Sequence, residues 1–363
     1  MERYLLIVGT GEFSGAGKIT KYFKSFISTK KINILSLLYI KNAHQKKFFN
    51  DKYLQAAKFY KFFYFFKIIF TIIKRNNQIK AIYLQENAGL GKIYDILLMF
   101  ICNFYKKNCF YHNHSSGKYI KYDLLSKIIQ KISNYRIRHI FLNKKEGRNF
   151  IEKYGKLKKY YYISNSIFIK DIKSCQERNN LSKNLSFGLL SNLTEEKGLD
   201  KFLNFAKYSF LNKKSWKFYL AGPIMRKKKY YLEIISKLPN LKYLGSIYSE
   251  KSKSKFYKKV DFFLFLSSYL HESEPLVLLE AISHGTIPIV FNRGSISDLV
   301  FSKELIIDNN SNYLLSINNL VEDFIRNNQL KNLSLNSFKK FLKIRKKSQS
   351  QFNKLIKELK SLN

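Results

Sequence analysis

The 363-residue chain has 4 prolines, one tryptophan, three cysteines and few acids, with 25 Asp and Glu against 66 Lys and Arg. Each scarcity excludes something. Cys102, Cys109 and Cys175 show no metal-ligand spacing and cannot all pair, which argues against a disulfide-stapled domain and for a reduced, cytoplasmic compartment. No apolar run reaches the roughly 18 residues that a spanning helix needs. The first apolar run, Tyr4–Val8, is cut short by Gly9, so no signal-peptide anatomy is expected. No internal repeat is evident.

What is present is a hydrophobic fraction of 45% with 16% aromatics, enough to build a sizeable core and to argue against disorder. The length suits two α/β domains better than one. A formal net charge of +41 attracts polyanions: nucleic acid, anionic lipid surfaces or phosphorylated small molecules. Abundant Lys, Asn, Ile, Phe and Tyr is also the usage of an AT-rich genome, so charge alone assigns no function. An RNA-binding module would cluster its lysines with exposed aromatics. Here the basic residues run along the whole chain, and no specific nucleic acid partner is expected.

Short apolar runs alternate with helix-length segments. One series of candidate strands is Tyr4–Val8, Ile32–Leu37, Ala81–Leu84, Cys109–His112, His139–Leu142 and Tyr160–Ile163. A second is Ser186–Leu190, Lys217–Leu220, Leu241–Leu244, Phe262–Phe265, Ile287–Phe291 and Leu305–Ile307. Alternation of this kind means βαβ units and parallel sheets, and twelve strands are too many for one doubly wound sheet. The charged, Asn-rich stretch between the series reads as a linker, giving a first domain over 1–168, a linker over 169–185, a second domain over 186–340 and a C-terminal helix over 341–363. Two readings stay open for the run Phe59–Ile73: a helix buried under the first domain, slightly favoured, or an interfacial helix on anionic lipid.

Three segments of the second half carry chemistry. Phe187–Asp200 is a buried strand ending in a polar loop that holds Lys197, placed to meet a phosphate outside the carboxyl end of a strand. Asp261–Gly285 is an apolar strand, a loop with Glu272, then a helix that opens near Pro275, contains Glu280 and can end at Gly285. Two such carboxylates can accept hydrogen bonds from hydroxyls of two different sugar rings. Thr286–Val300 is a strand followed by Arg293, Gly294, Ser295 and Ile296, where a helix N-terminus is expected to cradle a diphosphate.

In their order and spacing, with Lys197-Gly198 followed by glutamates separated by seven residues and then a strand–Gly–helix, these segments resemble the retaining glycosyltransferases of family 4. The resemblance is close over roughly residues 186–300 and looser elsewhere. It implies the α/β fold called GT-B: two Rossmann-like parallel-sheet domains facing a cleft, with the C-terminal helix packing back on the first domain. It also implies a nucleotide-diphosphate sugar as donor, a glycan or lipid-linked acceptor, and transfer without a bound metal or other cofactor. Lys197 would hold the diphosphate, Glu280 the ribose, and Glu272 the transferred sugar near the reacting carbon. Gly294, Ser295 and Ile296 would assist at the phosphates, and Ser246 and Ile247 would lie against the base. Asn192 stands where the family usually has an arginine, so either Arg293 compensates or the phosphate is held more weakly, and Leu266 stands where a proline is usual. The missing arginine leaves an inactive glycosyltransferase-like subunit as the alternative.

In the first half, Gly9–Lys18 tempts two motif readings that fail. A P-loop needs Ser or Thr where Ile19 stands, and a dinucleotide fingerprint needs glycine where Ser14 stands. The stretch instead resembles the family's first glycine-rich loop, with Gly15 and Gly17 letting the backbone approach phosphates; a plain strand-to-helix turn is the competing reading. Tyr111–Lys118 follows an apolar strand, and the resemblance places one of its histidines, His114 rather than His112, near the reacting sugar. With no third ligand in sight, a metal site there is weakly supported. Asn165 matches the asparagine that closes the family's first domain. Basic, aromatic stretches of the first domain suit the anionic cytoplasmic membrane face.

Overall fold

A computed structural model describes residues 3–9, 15–38, 54–169 and 184–362; within these, side chains of 15, 16, 38 and 54–60 are left out. Residues 170–183, which hold most of the expected linker, and Thr10–Ser14 lie outside the described residues. Contacts divide the chain into two units, Met1–Phe168 together with Lys346–Asn363, and Ile169–Arg345.

The first unit is a six-stranded sheet of order β2-β1-β3-β4-β5-β6, with every pair parallel. Its strands are β1 (Tyr4–Gly9), β2 (Ile34–Leu38), β3 (Ile79–Gln85), β4 (Asn108–His112), β5 (Ile137–Phe141) and β6 (Tyr160–Tyr162). They read as unbroken apolar runs because helices cover both faces of a parallel sheet. Leu6, Val8, Ile82 and Leu84 meet Phe65, Ile68, Ile72, Leu98 and Met99 on one face. On the other, Phe23 stacks on Tyr83 at 4.0 Å between ring centroids, and Phe352 of the C-terminal helix meets Phe26 at 4.9 Å. Glu358 near the chain end pairs with Arg138 at 2.5 Å and Lys159 at 2.9 Å, fixing the last turns to this sheet.

The second unit is also all parallel, in the order β12-β11-β10-β7-β8-β9. Its strands are β7 (Ser186–Leu190), β8 (Lys217–Ala221), β9 (Leu241–Tyr243), β10 (Phe262–Phe265), β11 (Ile287–Phe291) and β12 (Ile306–Ile307). Phe187 sits at its centre, stacked on Phe218 at 5.1 Å and Phe262 at 5.3 Å. The chain runs outward from β7 through β8 to β9, then returns to the far side of β7 as β10. That reversal makes the boundary between β7 and β10 a topological switch point, and a ligand crevice belongs at the carboxyl ends of those two strands. Both expected sheets are present, each of the twelve strands falling within three residues of its expected bounds.

Two expectations are corrected. Gly15 and Gly17 do not lie in a loop after β1; both are in the first turn of the helix Gly15–Ser28. The chain after β11 does not open an α-helix either: Ile296–Leu299 is a single 3-10 turn. The Ile296 N–H donates to the Arg293 carbonyl at 3.0 Å, so the turn consumes an amide that the cradle would have needed.

Candidate functional site

The loops after β7 and β10 build the site of the second unit. Thr194 begins a 3-10 turn over Glu195–Lys197 and accepts the Lys197 N–H on its hydroxyl. Gly198 follows with φ at +86°, and a Cβ there would lie 2.6 Å from the Leu266 carbonyl oxygen. Only glycine satisfies both the left-handed backbone and that approach, which is the physical reason a glycine follows the lysine. The Ser268 N–H donates to the Glu196 carbonyl at 2.8 Å, tying the two loops together.

The Lys197 ammonium is paired with Glu272 and stands 4.3 Å from the centroid of the Tyr269 ring. Glu272 is buried, and the hydroxyl of Ser267 lies 3.5 Å from it. A cation and a carboxylate are therefore held side by side at the switch point. Tyr269, which covers the lysine, carried no sequence signal of its own.

Glu280 lies in the helix Leu276–Ser283 and is buried. Lys253, from the helix Glu250–Lys259, donates to one carboxylate oxygen, and the Tyr257 hydroxyl donates to the other at 2.9 Å. Burial pushes the Glu280 carboxyl up, against the pull of Lys253 and Tyr257. Sequence reasoning missed both partners, since nothing in a lysine-rich helix marks one lysine as buried. A carboxylate offers about four lone-pair sites, so two donors leave Glu280 room for more.

Around this pair the other expected residues are uneven. Asn192 and Ser246 are exposed, and Ile247 packs against the core. Ser295 is buried, while Arg293 and Gly294 are half-buried. Gly294 has φ at +54°, and Gly245 has φ at +68° at the end of β9.

The first unit holds a second polar cluster. Glu86, just beyond β3, accepts from the His114 N–H at 2.7 Å, the Ser115 N–H at 3.1 Å and Lys118 at 2.7 Å. Burial raises its carboxyl, but Lys118 and Lys92 outweigh that and hold it at about 2. The rings of His112 and His114 lie 4.0 Å apart, and His112 Nδ1 meets the Tyr83 hydroxyl at 2.6 Å. Nε2 of both histidines is buried and has no hydrogen-bond partner among the described residues. Burial lowers both, His114 to about 4, so each is neutral at pH 7. The structure thus brings His112 and His114 together and sets Lys118, the last residue of the same stretch, against Glu86, which the sequence did not reveal. Asn165 is buried in the turn Asn165–Phe168.

Two six-stranded, all-parallel sheets with helices between their strands put the chain among two-domain α/β proteins of Rossmann-like type. Solved structures similar over the whole chain agree: Anabaena HepE in complex with UDP-glucose has TM-score 0.66 at 15% identity, covering 97% of this chain and 99% of that one. A glycosyltransferase from Rickettsia africae ESF-5 has TM-score 0.68 at 13%, covering 99% and 98%. Sucrose-phosphate synthase from Thermosynechococcus elongatus has TM-score 0.64 at 13%, covering 100% of both. The fold is GT-B. Residues 171–339, a little under half of the chain, match the family model Glycosyl transferases group 1. Glycogen synthase of Marinomonas sp. (strain MWYL1) is 32% identical over 128 residues, 34% of this chain, and that match spans about a quarter, 26%, of the curated relative.

Proposed function

We propose that the chain is a retaining, metal-independent glycosyltransferase of the family 4 type, moving a sugar from a nucleotide-diphosphate sugar to a glycan or lipid-linked acceptor. The observation that carries this is the pairing of Lys197 with Glu272 at the β7/β10 switch point. A diphosphate entering there meets an ammonium already oriented by a carboxylate and an aromatic ring. Lys197 stabilises the charge that develops on the departing diphosphate, and preorganised stabilisation of that kind supplies most of the catalysis. Arg293 adds to it, in place of the arginine that Asn192 replaces. Glu272 takes hydroxyls of the transferred sugar, and Glu280 takes the ribose while Lys253 and Tyr257 keep its other lone pairs occupied. Ser246 and Ile247 border the base. The neutral His114, with His112 behind it, serves the acceptor side in the first unit. Work on a cell-surface polysaccharide, from the cytoplasm, fits the basic charge of the chain.

The test is calorimetric binding of UDP-, GDP- and ADP-sugars without added metal, to wild type and Lys197→Ala. One sugar nucleotide should bind, and the variant should lose about tenfold to a hundredfold in affinity, the worth of one charge-assisted contact. Silence across the panel, or equal binding by the variant, would overturn the assignment. Binding without turnover of any donor would favour the inactive-subunit alternative that Asn192 raises.

A further inference from the structure

Two helices of the first unit turn apolar side chains to both sheet and solvent. In Leu54–Lys74, Phe65, Ile68 and Ile72 are buried, while Phe62, Phe63, Phe66, Phe70 and Ile73 are exposed, Phe70 to 64%. In Lys92–Phe104, the exposed residues are Ile93, Leu97, Phe100 and Phe104, spaced i, i+4, i+7 and i+11 on a single face, with Phe104 at 78%. Leu90, 79% exposed, extends that stripe past the helix start toward the loop after β3. A water-facing helix should carry its charges there. The only charged residues of Lys92–Phe104 are Lys92 and Asp95, and both are buried. The helices are pinned at both ends, by Lys61 on Asn87 at 2.7 Å and Lys107 on the Asn76 carbonyl at 2.5 Å. Their outward faces therefore form one surface.

We propose that this two-helix face docks on an anionic lipid bilayer, its aromatic residues entering the headgroup boundary. The charges select that occupant. Exposed Lys67, Lys74, Arg75 and Lys106 rim the face. The only acids between residues 54 and 107, Glu86 and Asp95, are buried, so these helices expose no negative charge of their own. A second copy seated here would set those cations against their own kind, whereas acidic headgroups neutralise them. Among the described residues no helix is long and apolar enough to cross a membrane, so the helices lie on the bilayer.

Co-sedimentation of the full chain with phosphatidylcholine vesicles, with and without about 30 mol% phosphatidylglycerol, tests this at moderate salt. Wild type should pellet with the anionic vesicles. The variant Phe66→Ser/Phe70→Ser/Leu97→Ser/Phe100→Ser, which alters exposed positions only, should lose about tenfold or more in partitioning. Equal partitioning by the variant would show that bulk charge does the work and would overturn the proposal. A Phe100→Trp reporter covers the case of a misfolded quadruple variant: the native Trp216 is buried, so a blue shift of emission on anionic vesicles reports insertion, and no shift overturns it. A concentration-dependent dimer without lipid, abolished by Phe100→Ser, would give the face to a second copy and also overturn it. None of these readouts needs a donor, so lipid binding and sugar transfer fail separately.

Discussion

Replacing Lys253 by methionine removes the cation that pairs with the Glu280 carboxylate, the one ion pair that carboxylate makes among the described residues. The side chains of Lys253 and Glu280 are 6% and 7% exposed, so water cannot take over. Breaking such a buried pair by removing one partner costs about 3–5 kcal/mol, a large part of the roughly 5–15 kcal/mol that holds a domain together. The variant has one escape, protonation of Glu280. Its carboxyl is already raised by burial and rises further without the lysine. A group whose folded value exceeds its unfolded one keeps its stability below the unfolded value, 4.5 for a glutamate, and loses it as pH rises through the folded value. The deficit against wild type should therefore be small near pH 4.5 and near full size at about pH 7.5. The double variant Lys253→Met/Glu280→Gln should recover most of the loss, because the amide still accepts from Tyr257 and carries no charge. Urea unfolding followed by Trp216, the one tryptophan and buried in the second unit, measures all three proteins. A deficit under about 1 kcal/mol, one that ignores pH, or a double variant no better than the single would refute the reasoning.

Further outcomes follow from the same structure. Gly198→Ala should destabilise the second unit by about 1–3 kcal/mol, since alanine resists φ of +86° and its Cβ would press on the Leu266 carbonyl; urea midpoints check it. The first unit should lose stability on acidification from pH 6.5 toward 4. Burial holds His114 at about 4 and His139 at about 3, so the unfolded chain binds more protons throughout that interval. His114 alone accounts for about 3 kcal/mol. Asp95, raised by burial to about 7, acts the other way, because its contribution is full below 3.8 and lost as pH rises through 7. A His114→Gln variant should have a flatter profile, and wild-type stability unchanged between pH 6.5 and 4.5 would contradict the assignment.

The strands were legible because a parallel sheet buried on both faces needs continuous apolar runs, and Phe262–Phe265 or Ile287–Phe291 can be little else. Lys197, Glu272 and Glu280 stand on the elements expected of them, in the turn after β7, the loop after β10 and the helix that follows it, because the strands fix where those segments begin. Lys253 was not: its meeting with Glu280 is set by the packing of one helix on another, 27 positions apart, and one lysine in Glu250–Lys259 looks like the next. The stripe Ile93–Phe104 was hidden for the opposite reason. A helix that is apolar all round reads as buried, and no periodicity separates a face turned to lipid from one turned to core. The expected helix at Ile296 failed because Gly294 and the Arg293–Ile296 hydrogen bond close a tight turn that the strand–Gly pattern does not distinguish from a helix start.

The excess of lysine can be divided by the same logic. A biased codon supply places lysine wherever exposure tolerates it. It does not bury an acid and then supply a lysine at hydrogen-bond distance, because each buried ion costs several kcal/mol of desolvation unless its partner is already in place. Three such arrangements stand at the carboxyl ends of strands or on the helices that follow them: Glu86 with Lys118 and Lys92, Glu272 with Lys197, and Glu280 with Lys253. In a chain with only 25 acids, the placing of these three is the part of the electrostatics that composition cannot explain. Stability does not explain it well either, since an apolar pair of similar volume would serve a core at least as well. A need for charge at those positions fits the nucleotide-diphosphate sugar proposed above as donor.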